Sequence, residues 1–289
     1  MAPVAKRLEG KVAVITGGAG AIGATTAKLF LQHGAKVIIA DVQDELGISL
    51  CKSLITKDGA ANNNNNVDYV HCDVTSEQDV KNAVDLAVSK YGHLDIMYNN
   101  AGTTGDNIKR PMENSTVEDF KRIFDVNVLG AFLGAKHAAR VMVKAQRGGV
   151  ILFTTSITSV IGGQAKPAYS ASKHALVGLM KDLCVELGQH GIRANCIAPG
   201  GIATPMLNGW LKMEREGTEE ILQSVGVLKG GVVKEEDVAE AAVYLSSDEG
   251  RFISGVNLVV DGGYSSTNGS FAMIANVLKN IQTTNCIDA

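Results

Sequence analysis

The strongest constraint on this chain lies in residues 11–31. Lys11-Val12-Ala13-Val14-Ile15 is a short, unbroken apolar run, which suits a strand buried on both faces of a parallel sheet. It leads into Thr16-Gly17-Gly18-Ala19-Gly20-Ala21-Ile22-Gly23, after which Ala27, Leu29, Phe30 and Leu31 follow a helical pattern. Strand, glycine-rich turn and helix, in that order, suit a dinucleotide. Glycine permits a tight turn and a close approach of backbone to pyrophosphate, and the helix N-terminus offers unpaired N–H groups to the anion. The same glycines could make an ordinary turn, but their strand and helix context favours the dinucleotide.

A second strand, Lys36 to Ala40, ends in Asp41, eighteen residues beyond Gly23. A carboxylate there can accept hydrogen bonds from both adenosine ribose hydroxyls and would repel a 2′-phosphate, so NAD is expected over NADP. Neither Ala40 nor Val42 supplies an arginine for a phosphate, and the alternative for Asp41 is a helix cap. Further strands are expected at Asp68 to Cys72, Leu94 to Tyr98, Val150 to Thr155, Ile192 to Ala198 and Val256 to Val260. Thr75 with Gln78 reads as a capping box for a helix carrying Val80, Ala83, Val84, Ala87 and Val88. Ser115 and Glu118 are expected to cap one long helix from Val117 to Gln146, closed by Gly148-Gly149, with another helix at Glu235 to Ser246. Residues 57–66 form a polar loop with five consecutive asparagines, to which no function is assigned. No linker divides the chain, so residues 1–289 are expected to form a single doubly wound α/β (Rossmann) domain, with about seven parallel strands flanked by helices on both faces.

The chemistry is expected from Ser156 to Lys173. Tyr169 opens a run (Ala171, Ala175, Leu176, Leu179, Leu183) at helical spacing, which puts Lys173 on the same face. A free tyrosine has a pKa of about 10, and a neighbouring cation can lower it by roughly 1 to 3 units. A base nearer neutrality is what proton removal from an alcohol requires. Ser156, just before the helix, could hold the same substrate oxygen, with Ser159 as the runner-up. By local spacing alone, Tyr169 and Lys173 would be an ordinary surface pair.

The YxxxK pattern with a serine thirteen residues upstream resembles the catalytic signature of the short-chain dehydrogenase/reductase family, and the resemblance extends from about Leu8 to about Tyr264. It implies that Tyr169 is the catalytic acid/base, that Lys173 assists it and binds the nicotinamide ribose, and that Ser156 positions the substrate oxygen. Asn127, in Asn127-Val128-Leu129-Gly130, is implied to hold a water against the lysine and complete a proton relay. The turn with Gly17, Gly20, Ala21, Ile22 and Gly23 is implied to bind the cofactor. Here the chain departs from the usual TGxxxGxG, because Ala21 stands where the middle glycine is expected. The resemblance further implies cofactor contacts from Cys72, Asp73 and Val74 at adenine, from Asn99-Asn100-Ala101-Gly102, and from Pro199 and Gly200. The Ile202 backbone and the Thr204 hydroxyl are implied to hold the nicotinamide amide. The segments His71 to Gly102 and Gly148 to Lys173 are most similar to plant members of specialised metabolism, such as secoisolariciresinol, isopiperitenol, borneol and nepetalactol-type enzymes. Such a resemblance implies a hydrophobic secondary alcohol or lactol, terpenoid or phenolic, and family habit implies a homotetramer. A different class is also open, a non-redox cyclase or isomerase of monoterpenoids that holds NAD as a structural ligand.

Composition narrows the classes. A net charge of −3 and a pI near 6.1 provide no basic field for nucleic acid. Five scattered cysteines, Cys51, Cys72, Cys184, Cys196 and Cys286, lack CxxC spacing, so free thiols in a reducing compartment and no metal site are expected. No apolar run is long enough to span a bilayer, and residues 1–9 carry no apolar signal core. A cytoplasmic protein without a membrane partner is the expectation. Residues 205–232 read as an irregular lid whose Met206, Leu207, Trp210, Leu211 and Met213 suit a greasy substrate, and residues 265–289 read as a tail.

Overall fold

The computed structural model describes residues 6–57, 66–106 and 112–267. The asparagine run up to residue 65 and most of the expected tail lie outside the described residues. Seven parallel strands form one sheet in the order β3-β2-β1-β4-β5-β6-β7. They are β1 (Val12–Thr16), β2 (Lys36–Asp41), β3 (Val67–His71), β4 (Ile96–Asn99), β5 (Gly149–Thr154), β6 (Ile192–Pro199) and β7 (Asn257–Val260). The order reverses between β1 and β4, which opens a crevice at the carboxyl ends of the strands where ligands bind in such sheets.

Every residue of β1 is buried, because consecutive side chains face opposite layers. Val12 and Val14 meet one core with the helices α3 (Glu77–Tyr91), α5 (Gly130–Ala145) and α6 (Pro167–Glu186). Ala13 and Ile15 meet the other, with α1 (Ala21–Gln32), α2 (Asp44–Lys57) and α9 (Glu235–Ser246). Phe30 of α1 is fully buried there, a burial that contributes roughly 1.5–3 kcal/mol.

Three local expectations change. Helix α3 is capped by the Ser76 hydroxyl, which accepts from the Asp79 N–H, one position beyond the Thr75/Gln78 box. Thr75 instead bonds Asp73, which turns the chain at the end of β3. The expected helix 117–146 is not continuous: α4 (Val117–Phe124) passes into a π-turn, Asp125–Leu129, before α5. Its cap is Thr116 with Asp119 rather than Ser115 with Glu118, and it closes on Gln146 in the left-handed conformation. Residues 205–232 are more regular than expected, holding α7 (Pro205–Leu211) and α8 (Arg215–Val225). Arg215 forks onto both carboxylate oxygens of Glu235 at 3.1 and 3.0 Å, tying this segment to the first turn of α9.

Candidate active site

A cleft of about 1530 Å³ runs along the carboxyl end of the sheet, from the glycine turn past Asp41 to the segment that holds α7 and α8. At one end, Gly17 takes φ +61°, and a side chain there would meet the Ala101 Cα at 2.7 Å. A methyl on Gly23 would lie 2.2 Å from the Gly17 carbonyl oxygen, so α1 approaches the turn only because this position lacks one. Gly20 precedes α1 without a side-chain cap, which leaves N–H groups at the helix start for an anion. Ala21 is the first residue of α1 and has no positive φ, so its methyl is accommodated in ordinary helical geometry. The pocket stays open beside it, and both Ala21 and Ile22 line the cleft.

Asp41 is buried at the end of β2 and lines the same space. Its two carboxylate oxygens accept from the Ala19 N–H at 2.9 Å and the Gln43 N–H at 3.0 Å, so the residue fastens the glycine turn as well as facing the cleft. A carboxylate has about four acceptor positions, which leaves capacity for ribose hydroxyls. Cys72, Asp73 and Val74 form the adjoining wall. Asn100, Ala101 and Gly102 also line the cleft, with the Asn100 and Ala101 N–H groups donating to the Thr16 hydroxyl. Asn99 does not line it: its side chain is buried behind the strand, donates to the Leu152 carbonyl, and leaves no room for a side chain on Gly134. Gly23 likewise acts from behind the lining. The cradle of missing methyls, the uncapped helix start and the available carboxylate fit a nicotinamide dinucleotide.

At the centre of the cleft, β5 delivers Ser156 and α6 delivers Tyr169 and Lys173. The Ser156 hydroxyl accepts from the Thr158 N–H at 3.2 Å, and its place near the Tyr169 phenol favours the phenolate. Burial acts more strongly in the opposite direction and pushes Tyr169 up to about 12. The expectation that Lys173 sets this phenol near neutrality is therefore corrected. The Lys173 Nζ lies 5.5 Å from the centroid of the tyrosine ring and donates to the Thr154 carbonyl at 2.8 Å. Burial lowers the lysine itself to about 8.

Asn127 is fully buried in the π-turn. Its Oδ1 accepts from the Thr103 N–H at 2.7 Å, while its Nδ2 donates to the Thr103 carbonyl and the Ser172 hydroxyl, each at 3.0 Å. The amide is thus committed to holding the loop after β4 against α6. Ser159 is buried and donates to the Ser156 carbonyl at 2.6 Å, so it supports the serine loop rather than replacing Ser156. Asn257 in β7 completes that support, accepting from Thr155 at 2.8 Å and donating to Ser159 at 3.1 Å. Sequence reasoning missed Thr103, Ser172 and Asn257, whose contacts span 24 to 102 residues and leave no local pattern. Pro199, Gly200, Ile202 and Thr204 border the cleft beyond β6. The Thr204 hydroxyl also caps α7 by accepting from the Leu207 N–H at 3.4 Å.

Among the described residues, no helix is long and apolar enough to cross a membrane and no cluster of metal-ligating side chains occurs.

A family model described as Enoyl-(Acyl carrier protein) reductase matches residues 17–265. The chain is 55% identical to Short chain aldehyde dehydrogenase 1 of Euphorbia lathyris, with 93% of each chain covered. It is 53% identical to Secoisolariciresinol dehydrogenase of Forsythia intermedia, covering 92% of each, and 49% identical to a mitochondrial Borneol dehydrogenase of Lavandula x intermedia, covering 92% of this chain and 94% of that one. Among solved structures, levodione reductase superposes with a TM-score of 0.82 at 30% identity, covering 91% of this chain and 100% of the other. The chain therefore belongs to the short-chain dehydrogenase/reductase family, as an alcohol/carbonyl oxidoreductase that uses a nicotinamide cofactor.

Proposed function

We propose that this protein interconverts a hydrophobic secondary alcohol or lactol, terpenoid or phenolic, and its carbonyl, with NAD as the cofactor. The observation that carries this reading is the meeting of Ser156, Tyr169 and Lys173 in one cleft with the glycine turn and Asp41. Asp41 favours NAD, since its buried carboxylate would oppose a 2′-phosphate. The apolar side chains of Met206, Leu207, Trp210 and Leu222 on the facing wall favour a greasy substrate. The relatives named as secoisolariciresinol and borneol dehydrogenases support the same class.

The bound nicotinamide supplies the hydride acceptor for oxidation and the hydride donor for reduction. Ser156 holds the substrate oxygen, and Tyr169 exchanges its proton with that oxygen. In carbonyl reduction the phenol is already in the donating form at neutral pH, because burial keeps it protonated. In alcohol oxidation it must lose that proton first, and Lys173, lowered to about 8, is the neighbouring group able to pass a proton near neutrality. Asn127 serves the site by fixing Thr103 and, through Ser172, the first turns of α6.

We place the protein in a reducing, cytoplasmic compartment, on the support of free thiols at Cys51, Cys72, Cys184 and Cys196. A homotetramer is supported by half-exposed Phe120, Leu129 and Phe132 on neighbouring helical segments. The test of the reading is a panel of terpenoid and phenolic alcohols assayed at 340 nm with NAD and NADP side by side. Absorbance rising with NAD supports it. Substrate consumed without absorbance change would instead identify a non-redox cyclase or isomerase.

A further inference from the structure

The cleft is lined by apolar Met206, Leu207, Trp210 and Leu222, and it also holds a polar pair that the hydride-transfer chemistry does not use. The Tyr264 hydroxyl donates to Gln164 Oε1 at 3.2 Å, and both residues line the cleft. Gln164 lies in the loop before α6, and Tyr264 follows β7, so the pair bridges two separate segments of the chain.

Each partner is held from behind. Asp261 accepts from the Gly263 N–H at 2.8 Å and the Ser265 N–H at 2.7 Å, across a turn in which Gly262 and Gly263 take φ +60° and +83°. That turn seats Tyr264, and its Gly262 carbonyl also accepts from the Leu228 N–H at 3.1 Å, joining it to the segment after α8. On the other side, Lys166, two residues after Gln164, is ion-paired with Asp106 and with Asp119. The pair is therefore preorganised, which reduces what binding must spend on ordering side chains.

Its hydrogen-bonding capacity is only half used. Tyr264 engages one end of the Gln164 amide, and among the described residues the Nε2 end has no protein partner. If the amide is turned, Nε2 donates to the tyrosine and the tyrosine O–H becomes the available donor, so a donor remains in either orientation. A few placed polar groups in an apolar cleft are what orient a ligand there.

We infer that Gln164 and Tyr264 form a second anchor for substrate, one that takes an ether, hydroxyl or carbonyl oxygen on the apolar skeleton, remote from the carbon that reacts at Tyr169. The inference rests on the alcohol-oxidation reading and narrows it: the substrate is an oxygenated skeleton with at least two oxygen functions, and Gln164 is a specificity-determining residue. Neither residue touches the reacting atoms, so plain alcohols remain substrates without the anchor.

The test compares decahydro-2-naphthol with its 6-methoxy derivative on NAD-loaded protein. Trp210 is the single tryptophan of the chain and lines the cleft, so its fluorescence reports binding independently of turnover. The wild type should bind the methoxy compound about tenfold more tightly, a difference that corresponds to one well-made hydrogen bond, about 1.4 kcal/mol. Gln164→Leu should abolish that preference and leave affinity for the plain alcohol unchanged. Tyr264→Phe should reduce the preference, because Gln164 loses its support. Equal binding of the two compounds by wild type, failure to bind either, or a preference that survives Gln164→Leu overturns the inference. Binding with the expected preference but no absorbance change at 340 nm would leave the anchor standing and sink the oxidation reading instead.

Discussion

The Lys173 ammonium sits over the face of the Tyr169 ring, 5.5 Å from its centroid, with one proton donated to the Thr154 carbonyl at 2.8 Å. Four residues apart on α6, the two side chains share a helical face as the spacing requires, yet the lysine does not hold the phenolic oxygen. The nearby Ser156 hydroxyl is what favours the phenolate against the effect of burial.

Ser156→Ala removes that hydroxyl. The phenol is already raised by burial, so losing an interaction with its charged form raises it further. The ascending limb of the pH profile for alcohol oxidation should move to higher pH, because oxidation needs the deprotonated form. With the phenol at about 12, kcat should still be rising at about pH 10.5 in both proteins, with the variant's rise displaced to higher pH. An unmoved limb would mean that another group governs it. Tyr169→Phe should lower turnover by about 10²–10⁴-fold, with dinucleotide affinity in a binding titration nearly unchanged.

Asp41→Ala should weaken NAD by about tenfold or more, since hydrogen bonds to a charged group contribute roughly 1.5–3 kcal/mol. It should also loosen the glycine turn, because the Ala19 N–H loses its acceptor. The KM values for NAD and NADP, measured in parallel, should converge in the variant. A NAD preference that survives would place the selectivity elsewhere.

Two substitutions in the glycine turn should differ sharply. Gly23→Ala puts a methyl 2.2 Å from the Gly17 carbonyl and 2.7 Å from the Gly18 Cα, both backbone atoms. Overpacking of this kind costs about 1–3 kcal/mol and should lower the melting temperature and dinucleotide affinity together. Ala21→Gly changes a residue already in helical geometry, so affinity should hold and stability should fall by no more than about 1 kcal/mol. Thermal melts with and without NAD check both.

Asn257→Leu removes one partner each from the buried Thr155 and Ser159 hydroxyls, which keep their bonds to the Ile197 and Ser156 carbonyls. Each lost hydrogen bond costs about 0.5–1.5 kcal/mol. The Ser156 loop should lose its fixed position, so kcat should fall while the KM for NAD changes little. Steady-state kinetics paired with a denaturant titration separate the loss of turnover from the loss of stability.

The doubly wound sheet was legible in the chain because its causes are local. Runs such as Val12-Ala13-Val14-Ile15 are apolar on both faces, the glycine turn follows β1 directly, and the helix expected at Glu235–Ser246 forms with those bounds. Tyr169 and Lys173 were legible for the same reason, since helical spacing alone aligns them. Tertiary structure decided the rest. The π-turn at Asn127 interrupts what reads as one helix, in a packed setting where the amide reaches Thr103 and Ser172. The Tyr169 pKa was decided by burial, which depends on every element around the cleft and has no signature in a four-residue spacing. The Gln164–Tyr264 bridge, joining residues 100 positions apart, exists only because the chain returns through β7 to the cleft that α6 borders. Periodicity reports which face of an element is buried, whereas the partners a buried polar group finds are set by contacts that the folded chain alone brings together.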